Sequence, residues 1–283
     1  MQPTLLAAEL LERYDVFLLD AYGVLVSTNS ALPGAAEFLQ AIALAGKKFL
    51  VVTNDASRSA ATIAKRQQGF GLAVEASQIV TSGSLLSGYF ERYQLQGAPT
   101  IVLGTGESCD YVRQAGGRVV EATTEEAEVL AVCDDAGYDL RLAIDDVITV
   151  LFRRLDRGQS MRLVLPNPDL MYLRGENAYG ITSGSVALVI EAALKLRYPR
   201  HTLAFERLGK PHRPMYEAAL KLSGETELRR VVMVGDQLPT DIRGAVDFGL
   251  DSVLIGTGLT KLDELDSSEV QPMYTMRDLA LSP

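Results

Sequence analysis

Residues 15–25, with the sequence DVFLLDAYGVL, constrain the fold more than any other stretch of the chain. Residues 16–19 form an apolar run that is too short for a buried helix and has the length of a strand covered on both faces. Asp20 therefore stands at the carboxyl end of that strand. In an open α/β sheet these ends border the crevice where ligands bind, and Gly23 lets the backbone turn back over it. The segment predicts an α/β fold with a carboxylate at its crevice, although an Asp that merely ends a strand gives the same pattern.

Composition narrows the class of protein. The chain has 283 residues, of which 47% are hydrophobic, and this is enough for two domains with packed cores. A formal net charge of -9 without a basic stripe argues against nucleic acids and anionic membranes as partners. Cys109 and Cys133 lack CxxC spacing and indicate neither a disulfide framework nor a thiolate metal site. The N-terminal residues do not resemble a signal peptide, so we expect a soluble, cytoplasmic protein.

A second predicted strand, residues 48–52, also ends in polar residues. It is followed by Thr53, Asn54 and Asp55. Only 33 positions separate Asp20 from Thr53, which leaves room for one helix and for no inserted domain. The two strands therefore form a βαβ unit with neighbouring carboxyl ends. A helix over residues 57–68 follows, and its N-terminal amides and dipole suit an anion.

A new alternation of strands and helices begins at Pro99 and predicts a separate domain. The Gly104-Thr-Gly106 turn does not complete a dinucleotide fingerprint, because Cys109 occupies the position of the third glycine. Residues 166–169 and 180–185 are predicted turns, after which the chain returns to the first domain.

Four separated segments place reactive side chains at predicted strand ends or in loops, and each alone fits an ordinary turn or surface residue. In chain order they hold Asp20, then Thr53 with Asn54, then Lys210 before Pro211, then Asp236 with Asp241. Together and in this order they resemble the four motifs of the haloacid dehalogenase-like (HAD) hydrolase superfamily. Four segments resemble the class IIA branch of this superfamily, which includes the NagD and pyridoxal-phosphate phosphatases. They are TNDASRS (53–59), NPDL (167–170), GKPHRPMYEAAL (209–220) and VGDQLPTDIRGAVDFG (234–249).

The resemblance implies a Rossmann-like core with a parallel sheet, residues 1–82 and 184–283, and a smaller mixed α/β cap domain of C2 type, residues 83–183. It also implies Mg²⁺-dependent hydrolysis of a small phosphorylated metabolite. No nucleic acid or membrane is expected as a partner, and the sequence is compatible with a homodimer.

The resemblance also implies roles for individual residues. Asp20 would be the nucleophile that forms an aspartyl-phosphate, and Lys210 would shield its charge. Asp20, the main-chain carbonyl of Tyr22 and Asp236 would bind Mg²⁺. Asp241 would orient Lys210 or a metal-bound water.

Further residues would bind the substrate. Thr53 and the amides of Asn54 and Asp55 would hold the phosphoryl oxygens, together with Lys210. Asn167 and Asp169 are expected to shape the site without performing chemistry.

One position departs from the family pattern. Family phosphatases carry a second Asp two residues after the nucleophile, which protonates the leaving group and then activates water, and here that position is Tyr22. A phenol with an ordinary pKa near 10 is a poor base at neutral pH. Loss of an acid or base typically costs about 10²–10⁴ in rate. We therefore expect phosphatase activity that is weak or restricted to good leaving groups.

Two alternatives stay open. The DAYG sequence at 20–23 also resembles 2-haloacid dehalogenases, whose halide leaving group needs no proton. Those enzymes carry a helical cap soon after the first motif, and the 33 positions between Asp20 and Thr53 leave no room for it. The second alternative is a catalytically silent protein of the same fold that binds a phosphorylated ligand. Phosphatase ranks first and dehalogenase second.

Overall fold

The computed structural model describes residues 2–175 and 178–282. The strands, numbered in chain order, are β1 (Val16–Leu19), β2 (Lys48–Thr53), β3 (Ile79–Thr81), β4 (Pro99–Leu103), β5 (Arg118–Val120), β6 (Val129–Val132), β7 (Arg162–Leu165), β8 (Met171–Gly175), β9 (Ala178–Ile181), β10 (Glu206–Arg207), β11 (Val231–Gly235), β12 (Asp251–Ile255) and β13 (Tyr274–Met276).

The α-helices are α1 (Ala7–Arg13), α2 (Ala35–Leu44), α3 (Ala60–Gly69), α4 (Leu86–Arg92), α5 (Gly106–Gln114), α6 (Leu140–Asp156), α7 (Ser183–Arg197), α8 (Arg213–Ser223) and α9 (Arg243–Phe248). Shorter 3₁₀ turns and one π-helical turn, Leu238–Ile242, connect them.

The chain divides into two compact units. The first comprises the chain up to Thr53, Ala60–Val80 and the chain from Lys210 onward, and the second comprises Asn54–Ser59 and Thr81–Gly209. The predicted α/β fold, a Rossmann-like core plus a second domain, is confirmed. No helix in the described part of the chain is long and apolar enough to cross a membrane.

The first unit is built on a six-stranded sheet in the order β13-β12-β11-β1-β2-β3. Strand β1 lies in the middle and pairs in parallel with both β2 and β11. Leu19 is opposite Val51 on one side and Val234 on the other. The residues that follow these positions, among them Asp20 and Thr53, therefore emerge at the same edge of the sheet. All four residues of β1 are buried, as their apolar run predicts.

The second unit contains a five-stranded sheet in the order β10-β7-β6-β4-β5, with parallel pairing at each junction. Helix α7 packs on it, since Val186, Ile190 and Leu194 share a buried cluster with Leu163 and Leu165 of β7. The contacts thus place residues 184–209 with the second unit, whereas the sequence predicts a return to the core at 184. An apolar helix face has the same pattern whichever sheet covers it, so the sequence does not reveal the difference.

Residues 54–59 also belong to the second unit, although the sequence predicts them in the core. Ser108 Oγ donates a hydrogen bond to the Ala56 carbonyl oxygen over 2.8 Å, and Thr105 Oγ1 donates to that of Ser57 over 2.6 Å. These bonds attach the segment to α5, which the local pattern of residues 54–59 does not indicate.

Strands β8 and β9 form a separate antiparallel hairpin in the second unit. The sequence predicts a turn over residues 180–185 in this region, but β9 extends to Ile181 and α7 begins at Ser183.

Candidate active site

Lys210 is the centre of a buried charge cluster in the first unit. Its ammonium lies 2.6 Å from Asp20 Oδ1 and 2.8 Å from Asp241 Oδ1, and it donates a hydrogen bond to the Val52 carbonyl over 2.8 Å. Only 2% of Lys210 is exposed. Burial lowers its pKa, but the two neighbouring carboxylates outweigh burial and keep the pKa above its ordinary value. The side chain is therefore a fixed cation that bridges two carboxylates.

Asp236 follows β11 and is buried, like Asp20 and Asp241. Its Oδ2 accepts a hydrogen bond from the Leu259 amide over 2.7 Å, whereas its Oδ1 is buried without a hydrogen-bond partner among the described residues. Two glycines make space for this carboxylate. A Cβ atom at Gly258 would lie 1.9 Å from Oδ2, and one at Gly23, where φ is +80°, would lie 2.5 Å from it. One oxygen of Asp236 is thus held by the backbone while the other is left for a ligand.

Asp241 is held from two directions. Its Oδ2 accepts from the amides of Asp236 and Gln237 over 3.2 and 3.1 Å, in the turn after β11. The Tyr216 hydroxyl donates to the Asp241 main-chain carbonyl over 3.1 Å. Because one carboxylate oxygen holds the turn and the other faces Lys210, Asp241 fixes the position of the ammonium.

The cluster carries an excess of negative charge. Ligand oxygens of Asp20, Asp236 and Asp241 all lie within 4.8 Å of one another. Burial raises the pKa of Asp20 to about 7, with Asp241 adding to the rise and Lys210 opposing it. Burial and the charges of Asp20 and Asp241 raise the pKa of Asp236 well above its usual range. When all three carboxylates are ionised, one ammonium leaves two negative charges uncompensated, which is the charge that a divalent cation with oxygen ligands neutralises.

Tyr22 lies in the same unit, at the position where the family pattern has an aspartate. Its side chain is 39% exposed, and its hydroxyl oxygen accepts a hydrogen bond from Arg66 Nη1 on α3 over 2.8 Å. The same guanidinium donates to the Thr28 carbonyl. Arg66 therefore ties Tyr22 and the following loop to α3, a contact that the sequence does not reveal.

The segment after β2 is divided between the two units. Thr53 is buried at the end of β2 in the first unit, whereas Asn54 and Asp55 belong to the second. Asn54 Nδ2 donates to Asp169 Oδ1 over 2.8 Å, and Asp169 in turn donates its amide to Asn167 Oδ1 over 3.0 Å. Three predicted site residues of the second unit are thus linked by side-chain hydrogen bonds.

Asp55 uses its side chain to form a local turn. Its Oδ1 accepts from the amides of Ser57 and Arg58 over 2.7 and 3.0 Å, and its Oδ2 lies 2.8 Å from Arg58 Nη1. This arrangement is an Asx turn that leads into α3. The predicted helix start at 57 therefore moves to Ala60.

Several residues of the cluster were not predicted from the sequence. These are the Val52 carbonyl, Gly258, Leu259, Tyr216 and Arg66. A glycine pair, Gly256 and Gly258, directly after a buried strand is the signal that could have indicated a close backbone approach. The other contacts are made by backbone groups or by ordinary helix residues and leave no pattern in the sequence.

Comparison with protein families shows which family has this cluster of Asp20, Lys210, Asp236 and Asp241. A model described as haloacid dehalogenase-like hydrolase matches residues 17–118, and one described as HAD-hydrolase-like matches residues 207–281. Together the matches include Asp20, Thr53, Lys210, Asp236 and Asp241. The chain belongs to the haloacid dehalogenase-like hydrolases. The prediction of a class IIA, NagD-like member is confirmed.

Relatives of this hydrolase match almost the whole of this chain. A dihydroxyacetone phosphatase of Corynebacterium glutamicum is 26% identical over 93% of this chain and 89% of the relative. A crystal structure from Cytophaga hutchinsonii, described as a possible sugar phosphatase, is 28% identical with a TM-score of 0.87 and covers 100% of both chains. A glycerol phosphate phosphatase of Mycobacterium tuberculosis in complex with magnesium has the same fold, with 22% identity, a TM-score of 0.79 and coverage of 95% of this chain and 76% of that one.

Proposed function

We propose that the protein is a Mg²⁺-dependent phosphatase that hydrolyses small phosphomonoesters through an aspartyl-phosphate on Asp20. The observation that carries the proposal is the buried cluster of Asp20, Lys210, Asp236 and Asp241 at one edge of the sheet. A carboxylate at a strand end, a fixed cation beside it and an unpartnered carboxylate oxygen are the groups that phosphoryl transfer needs.

Asp20 acts as the nucleophile. Its carboxylate oxygen forms a bond to phosphorus while the bond from phosphorus to the ester oxygen breaks, and the leaving oxygen carries away the electron pair and takes a proton from water. Water then attacks the same phosphorus and loses a proton to solvent, and the bond from phosphorus to the Asp20 oxygen breaks to give inorganic phosphate and the original carboxylate. Lys210, 2.6 Å from Asp20 Oδ1, offsets the repulsion between this carboxylate and the incoming phosphate and keeps the reacting oxygen in position.

Asp20, Asp236 and the main-chain carbonyl of Tyr22 are the groups that would hold Mg²⁺. The fit rests on the unpartnered Oδ1 of Asp236 and on the uncompensated charge of the cluster. A bound Mg²⁺ supplies a Lewis acid that neutralises charge on the phosphoryl oxygens. Asp241 is the residue that orients Lys210, because its own oxygens are engaged by Lys210 and by two backbone amides.

Thr53 and the amides of Asn54 and Asp55 supply hydrogen bonds to the phosphoryl oxygens. The second unit acts as the cap domain and selects the substrate. The relatives are named as a dihydroxyacetone phosphatase, a possible sugar phosphatase and a glycerol phosphate phosphatase, and these names support a small polyol or sugar phosphate as the substrate class. Because Tyr22 replaces the aspartate of the family pattern, turnover should favour esters whose alcohol is a good leaving group.

The test is a panel of phosphate esters assayed for phosphate release with and without Mg²⁺, with 2-chloropropionate included for halide release. We expect release of phosphate from aryl, acyl and small polyol phosphates, and none in EDTA. Release of halide with no release of phosphate would identify a dehalogenase instead. Binding of phosphorylated ligands at saturating Mg²⁺ without turnover of any ester would identify a silent binding protein.

A further inference from the structure

Most carbonyl oxygens of residues 54–58 accept hydrogen bonds from hydroxyl groups elsewhere in the second unit. The donors come from the turn after β3 and from the start of α5. The donors, acceptors and oxygen-to-oxygen distances are Ser82 and Asn54 (2.6 Å), Ser108 and Ala56 (2.8 Å), Thr105 and Ser57 (2.6 Å), and Tyr111 and Arg58 (2.7 Å). We call the four donor side chains the hydroxyl clamp.

The hydroxyl clamp serves backbone that is mostly shielded from water. Asn54 and Ala56 are buried, and so are the two serines, Ser82 and Ser108, that donate to them. A buried carbonyl that loses its donor destabilises the structure. The backbone of the segment therefore keeps the orientation in which each carbonyl meets its hydroxyl.

The orientation of the carbonyls also fixes the amides of the segment. In a planar trans peptide the C=O group and the N–H of the following residue point in opposite directions. The bond from Ser82 to the Asn54 carbonyl therefore turns the Asp55 N–H away from Ser82. The N–H groups of Ser57 and Arg58 donate to Asp55 Oδ1, over 2.7 and 3.0 Å. The backbone is thus held through its carbonyls and through its amides.

The segment lies where sheets of this strand order bind ligands. In the order β10-β7-β6-β4-β5 the first strand, β4, lies between the second and the third, and the binding crevice of such a sheet is at the carboxyl ends of the first and third strands. Thr105 and Ser108 follow β4, at the N-cap and in the first turn of α5. A Cβ atom at Gly104 would lie 2.6 Å from Ser108 Oγ and 3.1 Å from Cys133 Cβ, just after β6. Residues 54–59 thus occupy the place of a separate ligand.

We propose that the hydroxyl clamp positions the Asp55 amide and thereby sets the affinity of the protein for phosphoryl groups. The inference rests on the proposed function, which assigns the amides of Asn54 and Asp55 to the phosphoryl oxygens. Donors that are fixed in advance bind an anion more tightly, because the segment does not have to be ordered on binding. The four clamp residues are positioning residues, which act through the backbone of the segment rather than by contact with the ligand.

The effects of the four residues should differ in a defined order. Ser82 should matter most, since its acceptor belongs to the same peptide group as the Asp55 amide. Ser108, Thr105 and Tyr111 hold peptide groups successively further along the chain, so their effects on phosphate binding should decrease in that order. A role in stability alone predicts no such order, because each hydroxyl makes one hydrogen bond to the segment.

The test measures the Kd of inorganic phosphate for the full chain by titration calorimetry at saturating Mg²⁺. Ser82→Ala should raise the Kd about tenfold, the effect of one oriented hydrogen bond, and Tyr111→Phe should raise it less. Thr100→Val is the matched control, because its buried hydroxyl donates over 3.0 Å to the Ala98 carbonyl, at the start of β4 in the same unit. It should lose stability in urea as Ser82→Ala does and bind phosphate as the wild type does. Equal Kd values for wild type and Ser82→Ala, or an equal rise in Thr100→Val, would overturn the proposal.

A second pair of variants tests the hydroxyl itself. Thr105→Val removes the donor, whereas Thr105→Ser keeps it and remains a good N-cap of α5. The Kd should rise in the first variant and return to the wild-type value in the second. Hydrogen exchange over residues 54–59 should become faster in Thr105→Val and in Ser82→Ala, while exchange over α6 stays the same. Unchanged exchange of residues 54–59 in both variants would contradict the clamp.

Binding and turnover distinguish this inference from the proposed function. A wild type that binds phosphate but hydrolyses no ester contradicts the proposed function, and the Kd of Ser82→Ala still decides the role of the clamp. A wild type that hydrolyses esters while Ser82→Ala binds phosphate normally contradicts the clamp alone. A wild type that does not bind phosphate contradicts both.

Discussion

The two units of the molecule each contain a parallel sheet, but the polar residues at the ends of their strands make different contacts. In the second unit several of these residues hold local turns. Thr105 accepts from the Ser108 amide over 3.3 Å at the start of α5, Asp134 Oδ1 accepts from the Ala136 amide over 2.9 Å, and Asn167 Oδ1 accepts from the Asp169 amide. In the first unit Asp20 instead contacts Lys210, and ligand oxygens of Asp20 and Asp236 lie within 4.8 Å of each other.

This difference shows that a parallel sheet alone does not create an active site. The strand ends of both sheets are polar, but in the first unit they bring together buried charged groups that are far apart in the chain, with 190 positions separating Asp20 from Lys210. Bringing like charges together under burial costs stability, because each ionised carboxylate loses hydration. Such an arrangement persists at functional sites, where a ligand or substrate compensates the charge.

The largest expected effect is a loss of catalysis when a strand-end aspartate is replaced in the first sheet but not in the second. Asp20→Asn keeps the size of the side chain and removes its charge and nucleophilicity, so turnover should fall by at least about three orders of magnitude. Asp134→Asn makes the same change at a strand end of the second sheet and should leave kcat unchanged. The measurement is phosphate release from 4-nitrophenyl phosphate at saturating Mg²⁺. Residual activity of Asp20→Asn within tenfold of the wild type would contradict its role.

Mg²⁺ affinity should also depend on the strand-end aspartates of the first sheet and not on those of the second. Asp236→Asn removes the charge of the carboxylate whose Oδ1 has no partner among the described residues, and should weaken Mg²⁺ binding by at least about 10- to 100-fold, the loss typical when a residue that only supports a metal ligand is changed. Calorimetric titration of Mg²⁺ measures this directly, without relying on activity. Asp135→Asn in the second unit is the control, and equal losses in the two variants would remove the distinction between the units.

Tyr22→Asp tests whether the missing acid and base at position 22 limits catalysis in the first unit. It introduces the acid and base of the family pattern, so turnover of glycerol phosphate should rise about 10-fold or more, within the range of general acid catalysis. Turnover of 4-nitrophenyl phosphate should change little, because its leaving group needs no proton. The ratio of kcat/KM for the two esters is the measurement. If the wild type already hydrolyses both esters at similar rates, another residue supplies the proton.

The smallest expected effect is a difference in folding stability between Gly→Ala substitutions in the two units. Gly258→Ala would place Cβ 1.9 Å from Asp236 Oδ2 and should cost about 1–3 kcal/mol of folding free energy, with weaker Mg²⁺ binding. Gly106→Ala at the start of α5 meets no described atom within 4 Å and should leave stability unchanged or slightly higher. Chemical denaturation of both variants measures the difference. Equal stability of the two variants would show that the loop at 258 yields without displacing Asp236.

Much of the fold could be predicted from the sequence. Strand β1 has the predicted bounds, because a short apolar run followed by Asp20 is typical of a buried strand. The hairpin β8–β9 was missed, since its apolar residues are exposed and the pattern rule assumes that they are buried. The sequence predicts a return to the first domain at 184, whereas the contacts divide the chain near Gly209, because contacts distant in sequence decide which sheet α7 covers.

By itself the sequence determined the α/β class, the family and the chain order of Asp20, Thr53, Lys210 and Asp236, because these depend on local patterns and motif spacing. The tertiary structure decided that Lys210 bridges two carboxylates and that the Leu259 amide holds Asp236, and it decided that Arg66 binds Tyr22. These contacts depend on which groups become neighbours once water is excluded. Their distances and burial are set by the packing of the whole unit, which no local stretch of sequence encodes.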